Sequence, residues 1–198
     1  MRIVVTGGAG SGKSTVINRL KEVMGSETTF RSVDEIVKNI HRCPEHYLDG
    51  DNLKEWKKLV DVPNLREAVF NDSSLRLELE RLSIPGVLAD LRIPFPTPHM
   101  VLEFPLLFEK CSHRQIVSYD VLVILHCPAS IRRARCALRG WSNETINHVF
   151  ASQISDANRV DMVAEYLPRM RVISIDTSAS IESVVEATSE IIQVMRPA

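Results

Sequence analysis

The hydrophobic positions of this chain follow two alternating periods, which predict strands and helices in turn. Short apolar runs rich in β-branched residues predict strands at residues 1–6, 28–33, 100–104, 121–125 and 172–175. After the first run, apolar residues recur at helical spacing and predict a helix that begins at Lys13 and ends before Gly25. Strands that alternate with helices predict an α/β fold with a sheet of about five parallel strands, flanked by helices.

Two segments interrupt this alternation. From His41 to Thr97 the apolar residues predict successive helices, and we interpret residues 41–97 as a helical insertion that binds the second substrate. Residues 139–165 are polar and amphipathic, with Ser142 as an expected N-cap, and are predicted to form a mobile helical lid. The nucleotide-binding core would then comprise residues 1–40, 98–138 and 166–198.

Composition narrows the class of protein. The chain is 44% hydrophobic, and its 24 lysines and arginines nearly cancel its 25 aspartates and glutamates, so no basic field favours a nucleic-acid partner. It has no apolar run long enough for a membrane span and no charged leader, so we expect a cytoplasmic protein without a membrane partner. The four cysteines form no C-x-x-C pair, and the six histidines have no metal-ligand spacing.

The clearest chemical signal is the loop Gly7-Gly8-Ala9-Gly10-Ser11-Gly12-Lys13-Ser14, which matches the pattern G-x-x-x-x-G-K-[ST]. Glycines let the backbone turn tightly and present its N–H groups to phosphate oxygens, and the helix that follows adds its positive dipole end. Lys13 is expected to reach the β- and γ-phosphates of ATP, and the Ser14 hydroxyl to bind Mg²⁺. The expected nucleotide-binding residues are Gly8, Ala9, Gly10, Ser11, Gly12, Lys13, Ser14 and Thr15.

The rest of the sequence selects among nucleotide-binding classes. A GTPase would need an N-K-x-D motif, and a motor or transporter ATPase usually has an apolar strand that ends in Asp-Glu; the chain contains neither. A kinase of a small molecule remains. Asp34 follows the second predicted strand, where it can receive the proton of an acceptor hydroxyl or cap the helix that follows.

Several motifs together resemble the dephospho-CoA kinase family of P-loop kinases, whose members transfer the γ-phosphoryl of ATP to the ribose 3′-hydroxyl of dephospho-CoA. The resemblance covers most of the chain and extends beyond the glycine loop. Its further elements are residues 33–38 (V-D-E-I-V-K), 65–70 (L-R-E-A-V-F) and 103–109 (E-F-P-L-L-F-E), and the pair Arg135 and Arg139 followed by Gln153.

This resemblance implies roles for individual residues. It implies that Asp34 is catalytic and contacts the substrate, that Glu103 binds magnesium, and that Arg66 and Leu106 lie near the acceptor. Arg135 and Arg139, one helical turn apart, would bind phosphates from the lid, with Arg135 a nucleotide contact and Arg139 catalytic together with Lys13. The run that also contains Arg132 and Arg133 is otherwise typical of a solvated helix face.

Two alternatives stay open from the sequence. Ser32 and Val62 stand where the family has an aspartate and an arginine, so a (deoxy)nucleoside monophosphate kinase of the same architecture is one alternative. A non-catalytic nucleotide-binding relative is the other. The expected assembly is a monomer or a small homo-oligomer whose partner is a small-molecule substrate, either dephospho-CoA or a nucleotide.

Overall fold

The computed structural model describes residues 1–65, 68–69, 72–110, 119–166 and 170–195. The strands are β1 (Arg2–Gly7), β2 (Thr28–Ser32), β3 (His99–Glu103), β4 (Val121–His126) and β5 (Arg171–Asp176). The helices are α1 (Lys13–Met24), α2 (Val33–Arg42), α3 (Gly50–Val60), α4 (Ser73–Leu91), α5 (Leu107–Lys110), α6 (Ala129–Leu138), α7 (Asn143–Ala151), α8 (Asp156–Tyr166) and α9 (Ile181–Met195). Short 3₁₀ turns lie at Gly25–Glu27 and Pro44–His46.

The five strands form one parallel sheet in the order β2-β3-β1-β4-β5. In the register of the sheet, Val5 of β1 lies opposite Glu103 of β3 on one side and Val123 of β4 on the other. The central strand β1 therefore delivers the chain to the carboxyl edge of the sheet between two neighbouring strands. The predicted α/β fold with a five-stranded parallel sheet is confirmed.

Alternating apolar side chains of β1, β4 and β5 build the main core. Ile3 and Val5 of β1 are fully buried, as is Leu125 of β4, and they pack in one cluster with residues of α1 and α9. Val4 and Leu122, which point to the opposite side of their strands, are fully buried as well. Both faces of the sheet are covered, which explains why these strands appear as continuous apolar runs in the sequence.

The chain divides into two compact units, one made of residues 1–31 and 95–198 and the other of residues 32–94. In the second unit, α2 and α3 pack against α4, and Trp56 is 1% exposed. Gly86 permits close packing, because a Cβ there would lie 3.3 Å from Tyr47 and 3.4 Å from Ile40. The described part of this unit is helical, and it overlaps the segment 41–97, whose role in acceptor binding stays a prediction.

Candidate active site

The phosphate loop connects the carboxyl end of β1 to the amino end of α1. Gly10 and Gly12 have φ angles of 75° and 87°, which side chains other than glycine adopt only with strain. Gly12 is the N-cap of α1, and its carbonyl accepts the first backbone hydrogen bonds of that helix, from Thr15 and Val16. The loop therefore leads directly into a helix N-terminus whose free N–H groups and dipole favour a bound anion.

The Lys13 ammonium lies inside the curve of this loop. Its Nζ donates to the carbonyl oxygen of Gly7 at 2.8 Å and to that of Gly8 at 3.1 Å, and the residue is 9% exposed. A buried cation is costly unless partners compensate it, so the two carbonyls hold the charge beside the backbone. An ammonium in this position matches the chemistry of a polyphosphate ligand.

Hydroxyl and carboxylate oxygens suited to magnesium lie at the same edge of the sheet. Ser14 is exposed in the first turn of α1, and Glu103, which is half-buried, ends β3 opposite Val5. Magnesium usually binds one or two protein oxygens, with substrate phosphates and water as the other ligands, and these two residues fit that pattern. No group of three or more His, Cys, Asp or Glu side chains suited to a metal occurs among the described residues.

Arg135 of α6 connects the phosphate loop to the chain that follows β5. Its Nη2 donates to the carbonyl oxygen of Thr177 at 2.7 Å, and its Nη1 donates to that of Gly10 at 3.3 Å. Thr177 completes the connection, since its Oγ1 donates to the carbonyl oxygen of Ser11 at 2.7 Å. The sequence predicted Arg135 as a nucleotide contact, and the structure reveals bonds to the loop that the spacing did not indicate.

Arg132, one turn before Arg135, packs on the same loop, although the sequence was typical of a solvated face. It is 7% exposed, its Nε donates to the carbonyl oxygen of Cys127 at 3.0 Å, and its guanidinium carbon lies 4.8 Å from the centre of the Phe150 ring. A Cβ added at Gly8 would overlap its Nη1. The signal that could have found it is the three-residue spacing to Arg135, which places both on one helix face.

Gln153 reaches the loop from the segment predicted to form the lid. Its Oε1 accepts a hydrogen bond from the Ala9 N–H at 2.9 Å. Ser142, predicted as the N-cap of this segment, does cap α7, because its Oγ accepts from the Thr145 N–H at 3.1 Å. In the sequence, Gln153 was part of the family resemblance only, and no role in the site was predicted for it.

A buried ion-pair network holds the connection between α7 and α8. The fully buried Arg159 pairs with Glu109 at 3.2 Å and with Asp156 at 2.8 Å. The same carboxylates accept backbone hydrogen bonds, Glu109 from the Ile154 N–H at 2.8 Å and Asp156 from the Cys127 N–H at 3.2 Å. Ile154, the residue next to Gln153, is thereby hydrogen-bonded to Glu109 of α5 in this conformation.

The other predicted site residues make none of these contacts or fall outside the described part of the chain. Arg139 is the exposed C-cap of α6, and Leu106 is half-buried in the turn before α5. Asp34 is exposed and is the second residue of α2, whose N-cap is Ser32, so the interpretation of Asp34 as the cap is wrong. The predicted acceptor contact Arg66 lies outside the described residues.

The residues around the loop fit the phosphates of ATP. A buried ammonium, two guanidinium groups and a helix N-terminus converge on a backbone that is bare of Cβ atoms at Gly8, Gly10 and Gly12. These are donors of the kind that polyphosphates require. None of the described helices is long and apolar enough to cross a bilayer.

Comparisons with known proteins show the family of the chain. The family described as dephospho-CoA kinase matches residues 1–167. A dephospho-CoA kinase from Leifsonia xyli subsp. xyli is 30% identical over 174 residues, which cover 80% of this chain and 84% of the relative.

Solved structures share the fold over nearly the whole chain. TT1252 from Thermus thermophilus aligns with a TM-score of 0.73 at 23% identity, covering 99% of this chain and 98% of that one. A dephospho-CoA kinase from Campylobacter jejuni aligns with a TM-score of 0.57 at 21% identity, covering 97% and 95%. With a phosphate loop of this geometry and a family match that spans residues 1–167, the chain belongs to the dephospho-CoA kinase family.

Proposed function

We propose that this protein transfers the γ-phosphoryl group of ATP to the ribose 3′-hydroxyl of dephospho-CoA, giving CoA and ADP. The observation that carries the proposal is the buried Lys13 ammonium inside a glycine loop at a helix N-terminus, in a chain of this family. In the reaction, a bond forms between the 3′-oxygen and the γ-phosphorus. The bond from that phosphorus to the β–γ bridging oxygen breaks, and ADP leaves with that oxygen.

The phosphate loop forms the part of the site that binds ATP, the phosphoryl donor. Backbone N–H groups of residues 8–15 and the Lys13 ammonium are proposed to hold the β- and γ-phosphates, which keeps the phosphorus in line with the acceptor. The Ser14 hydroxyl and the Glu103 carboxylate would hold Mg²⁺. When bound there, this ion neutralises negative charge on the transferring and leaving oxygens.

Asp34 is proposed to deprotonate or position the acceptor hydroxyl. An exposed carboxylate in the first turn of α2, it makes no hydrogen bond or ion pair with the described residues. It is therefore available to accept the proton of the 3′-hydroxyl, or to hold that hydroxyl in line. The resemblance of residues 33–38 to the family supports this role.

Arginines and the acceptor contacts complete the proposal. Arg139 is exposed at the end of α6, which suits a side chain that approaches phosphate when the segment 139–165 closes as a lid. Closure would exclude water, a competing phosphoryl acceptor. Arg135 is proposed to contact the nucleotide, and Arg66 and Leu106 to contact the acceptor.

Three further expectations remain predictions from the sequence. They are a cytoplasmic location, the absence of nucleic-acid and membrane partners, and a monomer or small homo-oligomer as the assembly.

An acceptor screen tests this function. The protein is incubated with Mg·ATP and, separately, dephospho-CoA, a panel of nucleoside and deoxynucleoside monophosphates, or no acceptor, and ADP release is followed. We expect rapid ADP release only with dephospho-CoA, with a product one phosphoryl group heavier. Release with a monophosphate and none with dephospho-CoA would contradict the proposal, as would nucleotide binding without transfer to any acceptor.

A further inference from the structure

A second, unanticipated cation approaches the phosphate loop beside Lys13. The Arg132 side chain crosses from the first turn of α6 to Gly8, where a Cβ would overlap its Nη1. The backbone of Arg132 also packs on the loop, because a Cβ at Gly10 would lie 3.0 Å from the Arg132 Cα. Two loop glycines are therefore needed for this arginine to approach.

The guanidinium is held in place but keeps unused donors. Burial and the hydrogen bond from Nε to Cys127 fix the stem, while the ring of Phe150 covers the guanidinium. Within the described residues, neither Nη1 nor Nη2 donates to a protein acceptor, and the charge has no ion-pair partner. A buried arginine is normally compensated by carboxylates or several acceptors, so this one is arranged for an anion that comes from outside the chain.

Position identifies the anion as the terminal phosphate of the nucleotide. In a loop of this kind, the backbone N–H groups hold the α- and β-phosphates and the lysine reaches the β- and γ-phosphates. Arg132 lies at Gly8, whose carbonyl accepts from the Lys13 ammonium, five residues before the helix begins. Arg132 therefore lies at the part of the phosphate loop where the γ-phosphate is expected.

We propose that Arg132 is a further catalytic residue, which donates from Nη1 and Nη2 to the γ-phosphoryl oxygens of ATP and stabilises their charge during transfer. The effect of Arg132 on phosphoryl transfer rests on the proposed kinase function, whereas its contact with the γ-phosphoryl oxygens does not. Nucleoside triphosphate would be bound more tightly than diphosphate because only the triphosphate presents oxygens to this guanidinium. The planar fork of arginine suits two oxygens of one phosphoryl group.

Nucleotide titration of Arg132→Met tests the inference. By calorimetry with Mg²⁺ and no acceptor, the affinity for the β,γ-imido analogue of ATP should fall about 10-fold or more, as expected for a lost charge-assisted hydrogen bond. The affinity for ADP should stay within about 2-fold, since ADP lacks the γ-phosphoryl group. In the transfer assay, kcat should fall about 100-fold or more, as when one preorganised donor is removed.

Arg133→Met is the matched control. Arg133 is the next residue on α6, and its guanidinium carbon also lies 4.8 Å from the Phe150 ring, but the residue is exposed and bonds to Asn147. This variant loses the same charge and the same ring contact, and should keep both nucleotide affinities and kcat. Arg132→Gln, which can still donate to Cys127, serves as a second variant if Arg132→Met does not fold, and the same loss is expected.

Three outcomes would overturn the role of Arg132. They are an unchanged affinity for the triphosphate analogue in Arg132→Met, an equal loss of the affinities for the analogue and for ADP, and an Arg133→Met defect as large as that of Arg132→Met. The titrations use no acceptor, so they decide this role even if the wild-type protein fails to phosphorylate dephospho-CoA. That failure would count against the proposed function alone.

Discussion

Arg135 donates from Nη2 to the Thr177 carbonyl oxygen at 2.7 Å, which joins α6 to the chain directly after β5. The same guanidinium donates to Gly10 at 3.3 Å, while Thr177 donates to Ser11 at 2.7 Å. The backbone of the phosphate loop is thus held from two sides by one arginine and one threonine. Because a preformed loop need not be ordered when nucleotide binds, this bracing contributes to affinity in addition to the nucleotide contact proposed for Arg135.

We predict that Arg135→Met lowers the free energy of unfolding by about 2 kcal/mol, the usual contribution of a hydrogen bond that involves a charged group. Because the braced loop would hold both nucleotides, the affinities for ADP and for the triphosphate analogue should fall by similar factors. Urea unfolding and calorimetry measure the two effects. An unchanged unfolding free energy would contradict the bracing role.

Arg139→Met is the counterpart on the same helix. Arg139 is exposed, so its removal should change the unfolding free energy by less than about 0.5 kcal/mol. If it acts from the lid, kcat should fall while stability is retained. The two arginines, one turn apart, would then separate structural from catalytic contributions.

The buried network around Arg159 predicts a large and non-additive effect on stability. Glu109→Leu removes one carboxylate from a fully buried guanidinium, and breaking such a pair typically costs about 3–5 kcal/mol. In the double variant Glu109→Leu/Arg159→Leu, no guanidinium is left buried without this partner, so the loss should be smaller than the sum of the two single losses. Urea unfolding of the four proteins provides the double-mutant cycle, and simple additivity would contradict the coupling.

For Asp34 we predict a loss of transfer without a loss of nucleotide binding. Asp34→Asn keeps the shape of an exposed side chain but cannot accept a proton, so kcat should fall about 100-fold or more. ATP affinity and the unfolding free energy should be unchanged. Steady-state kinetics with dephospho-CoA, together with calorimetry, test this. A variant that transfers at the wild-type rate would remove Asp34 from the mechanism.

His41 makes stability depend on pH in the unit of residues 32–94. Its ring centre lies 4.8 Å from that of Trp56, and although His41 is exposed overall, partial desolvation of the ring lowers the pKa of His41 below its ordinary value. The unfolded chain therefore binds a proton more readily than the folded chain. The contribution to stability is present above about pH 6.5 and is lost as the pH falls below that value toward the lowered pKa.

Urea unfolding at several pH values, followed by tryptophan fluorescence, measures this dependence. His41→Gln should show a smaller decrease in unfolding free energy from neutral to acidic pH than the wild-type protein. His46→Gln removes another exposed imidazole of the same unit, serves as the control and should retain the wild-type dependence. An identical pH dependence in the wild-type protein and His41→Gln would contradict the assignment.

Local sequence patterns were enough to predict the strands of the sheet and the phosphate loop. Strands covered on both faces leave continuous apolar runs, and the helix that begins at Lys13 is marked by its spacing and by Gly25. The loop was predictable because the positive φ angles of Gly10 and Gly12 favour glycine at a fixed spacing before Lys13. Even the N-cap Ser142 could be identified, since its signal lies within four residues.

Long-range contacts could not be predicted in the same way. Arg132 and Arg133 are neighbours of the same residue type, yet only the first is buried, because helix phase and the approach of Gly8 decide which one turns inward. Thr177 follows a strand that is distant in sequence from Ser11, and nothing in its neighbours indicates that bond. Asp34 shows the limit for local signals, since α2 already begins at Val33 and its N-cap is Ser32.

The central claim is that the glycine loop holds the polyphosphate of ATP, and a crystal structure with Mg²⁺ and the β,γ-imido analogue of ATP tests it most directly. The account predicts phosphate oxygens on the N–H groups of residues 8–15. It also predicts that the Lys13 ammonium exchanges at least one of its bonds to Gly7 and Gly8 for a β- or γ-phosphate oxygen. Nucleotide bound elsewhere, with the Lys13 bonds to both carbonyls unchanged, would contradict it.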